Sequence, residues 1–168
     1  MCIRDRIIVV VGWKNTGKTT LIEKLIKEFS KRNLSISTIK HSHHNFSVDQ
    51  QGTDSFRHFN AGAKETILAS DKKWIKFSRQ LSESNLSDLI KQIIPVDIVI
   101  VEGFKLSGHK KVEVVNAASK KTPLYKTNQT ICGLIFNKYK IQHTVLPQFN
   151  RDDIEEICDF IEITLGVG

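Results

Sequence analysis

The stretch "IIVVVGWKNTGKTTLIEKL", residues 7–25, decides the fold. Ile7 to Val11 is an unbroken β-branched run with no polar alternation, the pattern of a strand buried on both faces of a parallel sheet. From Thr19 to Lys31 the apolar residues Leu21, Ile22, Leu25, Ile26 and Phe29 recur at helical spacing and fall on one face. Between strand and helix lies a turn from Gly12 to Lys18. It is either an ordinary strand-to-helix joint or a turn built to hold phosphate.

The residue types favour the second reading. Gly12-Trp13-Lys14-Asn15-Thr16-Gly17-Lys18-Thr19 satisfies G-x-x-x-x-G-K-[ST] at every fixed position. The glycines let the backbone curl so that successive N–H groups point at phosphate oxygens. Lys18 supplies a point charge to the β- and γ-phosphates, and the Thr19 hydroxyl suits Mg²⁺. The helix that follows presents its positive end to the same anion. Gly12 through Thr20 is therefore the expected nucleotide-binding segment.

Such a loop works with an acid at the end of a neighbouring strand, because ligands in open α/β sheets bind outside the carboxyl ends of the strands. In "VDIVIVEGF", residues 96–104, that end belongs to Glu102, whereas Asp97 lies at the other. Glu102 is the candidate to contact Mg²⁺ through water or to orient an attacking water, which makes Lys18 and Glu102 the catalytic candidates. Gly103 beside it leaves room for a close approach. Asp54 is a further acidic candidate for the metal. The base is left open by the residues. "FNKYK", 136–140, follows a buried strand and has the form of the guanine-reading N-K-x-D element, but Lys140 stands where the acid should be and cannot accept the guanine N1 and N2 hydrogens.

Further strands are expected over 34–41, 65–69, 73–77, 96–104, 111–115 and 130–137. Helices are expected over Asp54–Ala63, Leu86–Ile94, stopped by Pro95, and Arg151–Leu165; residues 42–52 read as a loop. Strands alternating with helices imply an α/β fold of the P-loop NTPase-like kind, a mostly parallel sheet with helices on both faces. No repeat or linker divides the chain, so residues 7–168 are expected to be a single nucleotide-binding domain. "MCIRDR", residues 1–6, fits no periodic pattern and is expected to be a non-native or disordered extension.

The 168 residues carry a formal net charge of +7, which favours an anionic partner. The lysine pairs Lys72-Lys73, Lys110-Lys111 and Lys120-Lys121 are scattered, with no aromatic RNA-binding signature nearby, so nucleic acid is the weaker candidate and a phosphorylated small molecule the stronger. The longest apolar run is far short of a membrane span or a signal-peptide core, and a cytoplasmic location is expected. Cys2, Cys132 and Cys158 are odd in number and widely spaced, which argues against a disulfide framework or zinc site; Cys132 and Cys158 are expected to be buried thiols.

"KHSHHNFSVDQQGTDSFRHFNAGA", 40–63, holds four of the six histidines. The spacing of His41, His43 and His44 does not suit a closed zinc site. A polar loop that neutralises an anionic second ligand competes with simple solvation. Taken with "GWKNTGKTTLIEKLI" and "DIVIVEGFK", and with "LPQFNRDDIEEICDFI" at 146–161, this segment resembles the MobB proteins of molybdopterin-guanine dinucleotide synthesis. The resemblance covers nearly the whole chain from Ile7. It implies a GTP-binding protein with weak GTPase activity and Mg²⁺, a homodimer acting mainly as an adaptor to the guanylyltransferase (MobA-like) that joins GMP to molybdopterin. By position it implies phosphate contacts over Gly12–Thr20, a match of Glu102 to the family's V-E-G element, and a cavity for molybdopterin or its guanine dinucleotide lined by Lys40, His41, His43, His44, Arg57 and His58. Thr16 replaces the family's more usual serine, Gln50-Gln51 a segment that often contains proline, and Asn116 an arginine.

A P-loop small-molecule kinase acting on a pterin or nucleoside-like acceptor is the alternative. Such a kinase brings a lid of several arginines. The few arginines here, with Arg4 and Arg6 in the first six residues, support a lid poorly.

Overall fold

The computed structural model describes residues 6–42, 49–79, 84–116 and 119–167. They group into two compact units, Met1–His41 with Leu86–Gly168, and Ser42–Asn85.

The first unit is built on strand β1, Ile7–Val11, every residue of which is buried. Helix α1, Lys18–Lys31, follows it and buries Leu21, Ile22, Leu25 and Phe29, the face its apolar spacing predicts. Strands β2 (Ile36–Lys40), β5 (Ile98–Glu102), β6 (Lys111–Val115), β7 (Ile131–Phe136) and β8 (Gln148–Asn150) complete a six-stranded sheet in the order β2-β5-β1-β6-β7-β8. Every pairing is parallel. The register sets Val10 opposite Glu102, and Lys40 opposite Glu102 on its other side, so these carboxyl ends lie side by side.

Helices cover both faces, which is why the strands read as continuous apolar runs. On one face α1 and the closing helix α4, Ile154–Leu165, pack Leu25, Phe29, Ile157 and Ile161 against Ile8, Val10 and Ile100. On the other, Leu86 and Ile90 of α3, Leu86–Ile90, join Val9, Val11, Val99 and Val101. Cys158 is buried in the first cluster, where burial pushes its thiol up to about 12. Cys132 is only half-buried and donates to the Lys111 carbonyl at 3.2 Å; Cys2 lies outside the described residues. No helix among the described residues is long and apolar enough to cross a membrane.

The second unit holds helix α2, Asp54–Asn60, and an antiparallel ribbon of β3, Glu65–Ala69, and β4, Trp74–Ser78. Thr53 caps α2 by accepting from the Phe56 N–H at 3.3 Å. The Arg79 guanidinium lies 4.4 Å above the Phe59 ring. Most of the expected loop at 42–52 falls outside the described residues.

Three helices are shorter than their patterns predict. α2 ends at Asn60, not Ala63, ahead of Gly62 at φ +116°. α3 stops at Ile90 because the chain tightens to i→i+3 bonds, Gln92 N–H to Leu89 and Ile93 N–H to Ile90, on its approach to Pro95. α4 begins at Ile154, not Arg151, because residues 148–150 pair with β7 as a strand. The Asn150 side chain then accepts the Asp152 N–H at 3.0 Å and turns the chain into the helix.

β6 departs most from simple patterning, since its charged Lys111 and Glu113 are as buried as its valines. Lys111 Nζ is satisfied by the Ser107 carbonyl, the His109 carbonyl at 2.9 Å and Thr130 Oγ1 at 2.7 Å. Burial holds its pKa below the usual lysine range. Glu113 accepts the backbone N–H groups of Leu124 at 2.7 Å and Tyr125 at 2.8 Å, at the start of a short 3-10 turn over Leu124–Lys126. Burial raises the Glu113 pKa while those two hydrogen bonds oppose the rise. Both groups are therefore structural clamps. Glu113→Gln leaves one backbone N–H facing an amide donor and should lower unfolding free energy by about 1–3 kcal/mol in urea denaturation; a midpoint equal to wild type would show that the turn does not depend on this carboxylate.

Candidate functional site

At the end of β1 the chain cannot continue as a strand. Gly12 has φ +147°, and a Cβ there would come within 2.6 Å of the Val114 carbonyl oxygen. Asn15 at φ 64° and Gly17 at φ 85° follow in the left-handed region that glycine and asparagine tolerate best. Thr16 Oγ1 donates to the Trp13 carbonyl at 2.9 Å and closes the curl. Gly17 is the N-cap of α1 and, having no side chain, leaves that end uncapped. The first-turn N–H groups and the helix dipole therefore present positive potential.

Lys18 arches over the loop and donates to the Trp13 carbonyl at 2.8 Å. Burial lowers its pKa, Glu102 opposes the shift, and Lys105 and Lys40 add to it. Lys18 thus has one carboxylate and two further cations around it. Trp13, the loop's second residue, is fixed by its indole N–H donating to the Thr122 carbonyl at 3.0 Å. Lys105 and Lys121 lie 4.6 and 4.7 Å from its ring. Lys14 and Thr20 are exposed, at the loop and on the first turn of α1.

Across the loop, Thr19 Oγ1 lies 3.4 Å from each Glu102 carboxylate oxygen. Lys40 Nζ is 3.4 Å from the same carboxylate. Thr19 and Glu102 are hard oxygen donors, the set Mg²⁺ prefers when phosphates supply the remaining ligands. These two residues fit the ion. Asp54 is in the second unit, 3.6 Å from Arg57. Among the described residues no cluster of three or more His, Cys, Asp or Glu could hold a metal.

Lys40 and His41 belong to the first unit, beside Glu102. The His41 N–H donates to the Glu102 carbonyl at 2.9 Å, and its ring packs on Phe104 with centroids 4.6 Å apart. The room that Gly103 leaves is taken by His41, whose Cβ would lie 2.9 Å from a Cβ at that position. Arg57 and His58 stand on α2 in the second unit. The expected cavity residues thus fall on two units, and His43 and His44 lie outside the described residues.

On the opposite side of the loop is a cleft of about 150 Å³, lined by Asn15, Thr16, Gly17, Asn116, Asn137 and Arg151 with the end of β6. Asn137 stands in the "FNKYK" stretch already noted, but Arg151 escaped sequence reading. Its signal, a polar residue at the carboxyl end of a strand, is hidden because β8 spans only Gln148–Asn150.

Residues 7–137 match the family model of molybdopterin guanine dinucleotide synthesis protein B, MobB. The chain is 37% identical over 156 residues to the molybdopterin-guanine dinucleotide biosynthesis adapter protein of Haemophilus influenzae, covering 91% of this chain and 85% of that one. It is 43% identical over 100 residues to the putative adapter protein of the same biosynthesis in Methanocaldococcus jannaschii, covering 60% of this chain and 41% of that one. The crystal structure of Bacillus subtilis MobB matches with a TM-score of 0.76 and 28% identity, over 95% of this chain and 97% of that one. With the family match spanning most of its length, and a fold that matches a solved MobB structure, this chain belongs to the MobB family.

Proposed function

We propose that this chain is a GTP-binding accessory protein of molybdopterin-guanine dinucleotide synthesis, with slow hydrolysis, acting in the cytoplasm beside the guanylyltransferase that joins GMP to molybdopterin. One observation carries the reading: an uncapped helix end, a backbone curled through Gly12 and Gly17, and Lys18 arched over it occupy one place at the centre of a parallel sheet. That combination suits a polyphosphate and little else. Gly12 to Thr20 would hold the phosphates, with Mg²⁺ between them and Thr19 and Glu102. Bound there, the ion would neutralise charge on the terminal phosphates. Glu102 would orient a water.

Lys40 and His41 in the first unit, and separately Arg57 and His58 in the second, are the cationic candidates for molybdopterin or its guanine dinucleotide, both anionic through phosphate. A second copy of the chain is the reading for the β3–β4 ribbon, where Ile67 is 63% exposed and Trp74 66%. A two-stranded ribbon with such residues outward is marginal alone.

Lys18→Ala should weaken GTP binding by about 2–5 kcal/mol in a calorimetric titration, the cost of removing one partner of a close charge pair; wild-type affinity in that variant would contradict the reading. Glu102→Gln removes the negative charge beside Lys18 and Lys40. It should lower hydrolysis about tenfold or more and GTP binding much less. Parallel losses in both would make Glu102 a structural residue. Trp74→Glu should shift the sedimentation coefficient from dimer to monomer without loss of helical signal, and an unchanged coefficient would remove the ribbon from the dimer interface.

A further inference from the structure

The sheet order fixes which way a nucleotide can lie, and this inference rests on the nucleotide reading above. Thr19 and Glu102 stand on the β5 side of β1. A triphosphate whose metal-bearing end faces them must extend its sugar and base the other way, over the carboxyl ends of β6, β7 and β8. The cleft beside Gly17 lies on that side. At about 150 Å³ it is smaller than the roughly 300 Å³ or more typical of a whole-ligand pocket, and its size suits one planar ring system.

Arg151 is the only cationic side chain on its walls among the described residues. Its backbone N–H donates to the Phe136 carbonyl at 2.8 Å, which anchors it between the ends of β7 and β8. Its guanidinium lies against the loop, since a Cβ on Gly17 would come within 2.5 Å of Nη2 and 3.0 Å of Nη1. The adjacent acid, Asp152, makes its ion pair with Lys24 on α1 at 2.7 Å and feels the Arg151 charge only at longer range. No ion pair holds Arg151 among the described residues. A forked donor of fixed charge thus faces a base-sized cleft whose walls also include Asn137.

We infer that Arg151 is the specificity-determining residue for the base, selecting a 6-oxopurine over adenine. The O6 and N7 atoms of guanine are adjacent acceptors that match the guanidinium fork, whereas adenine sets an amino donor where O6 would be. Lys140 stands in place of the acid that would read guanine from its N1 and N2 edge. On this account the protein reads the O6/N7 edge, and the 2-amino group contributes little.

The test is competition binding of GTP, ITP and ATP to wild type, Arg151→Met and Arg151→Lys, each checked for folding by its thermal transition. ITP keeps O6 and N7 and lacks the 2-amino group. Wild type should bind ITP within a few-fold of GTP and ATP about 5- to 150-fold more weakly, the range of one bidentate base contact. Both variants should lose most of that GTP-to-ATP ratio, Lys included, because a point charge cannot reproduce the fork. A ratio unchanged in the variants, equal loss of GTP and ATP affinity, or rejection of ITP by wild type would each overturn the inference. Absence of binding to any of the three by wild type would instead overturn the nucleotide reading itself.

Discussion

The structure depends on the backbone bend at the end of β1. Gly12 passes so close to the Val114 carbonyl that no side chain fits between them, and its φ lies where side chains are rarely tolerated. That contact links the loop to β6. The parallel pairing of β1 with β5 brings Glu102 to the other side. With the bend fixed, the start of α1, the arch of Lys18 and the position of Thr19 follow from chain connectivity. A residue with a Cβ at position 12 would have to move β6 or the loop, and everything downstream with it.

Around the bend the charges are unevenly shared. Lys18 and Lys40 stand beside Glu102, Lys105 adds positive charge near Lys18, and Arg151 lies across the loop without an ion pair among the described residues. Burial works against the charge of Lys18, a cost that a bound polyanion would offset. Buried ions elsewhere behave differently. Lys111 and Glu113 are fully matched to backbone and hydroxyl partners, so they fix loops and offer nothing to a ligand. The contrast separates cations that build the fold from cations that face a site.

Much of this was legible in the sequence because burial on both faces removes polar residues from a strand, leaving Ile7–Val11 and Ile98–Val101 as plain apolar runs. The loop was legible for a related reason: its backbone demands glycine at fixed spacing, and its chemistry demands lysine and a hydroxyl. Arg151 was not, because three residues of β8 are too few to show periodicity and its importance comes from pairing with β7, distant in sequence. The burial of Lys111 and Glu113 was hidden too, since the alternating charges of "KVEVV" give no sign of the loops that clamp them. The start of α4 was misplaced by the same short strand. The MobB membership expected from the motifs is met by the family match.

The central claim is that main-chain amides from Asn15 to Thr20 grip a nucleotide's phosphates. Amide-resolved NMR tests it most directly, by titrating ¹⁵N-labelled protein with GTP and Mg²⁺ and following backbone shifts and hydrogen exchange. The account predicts the largest shifts, and the strongest gain in protection, at the amides of residues 15–20. Saturable binding that leaves those amides unmoved, or shifts confined to other segments, would contradict it.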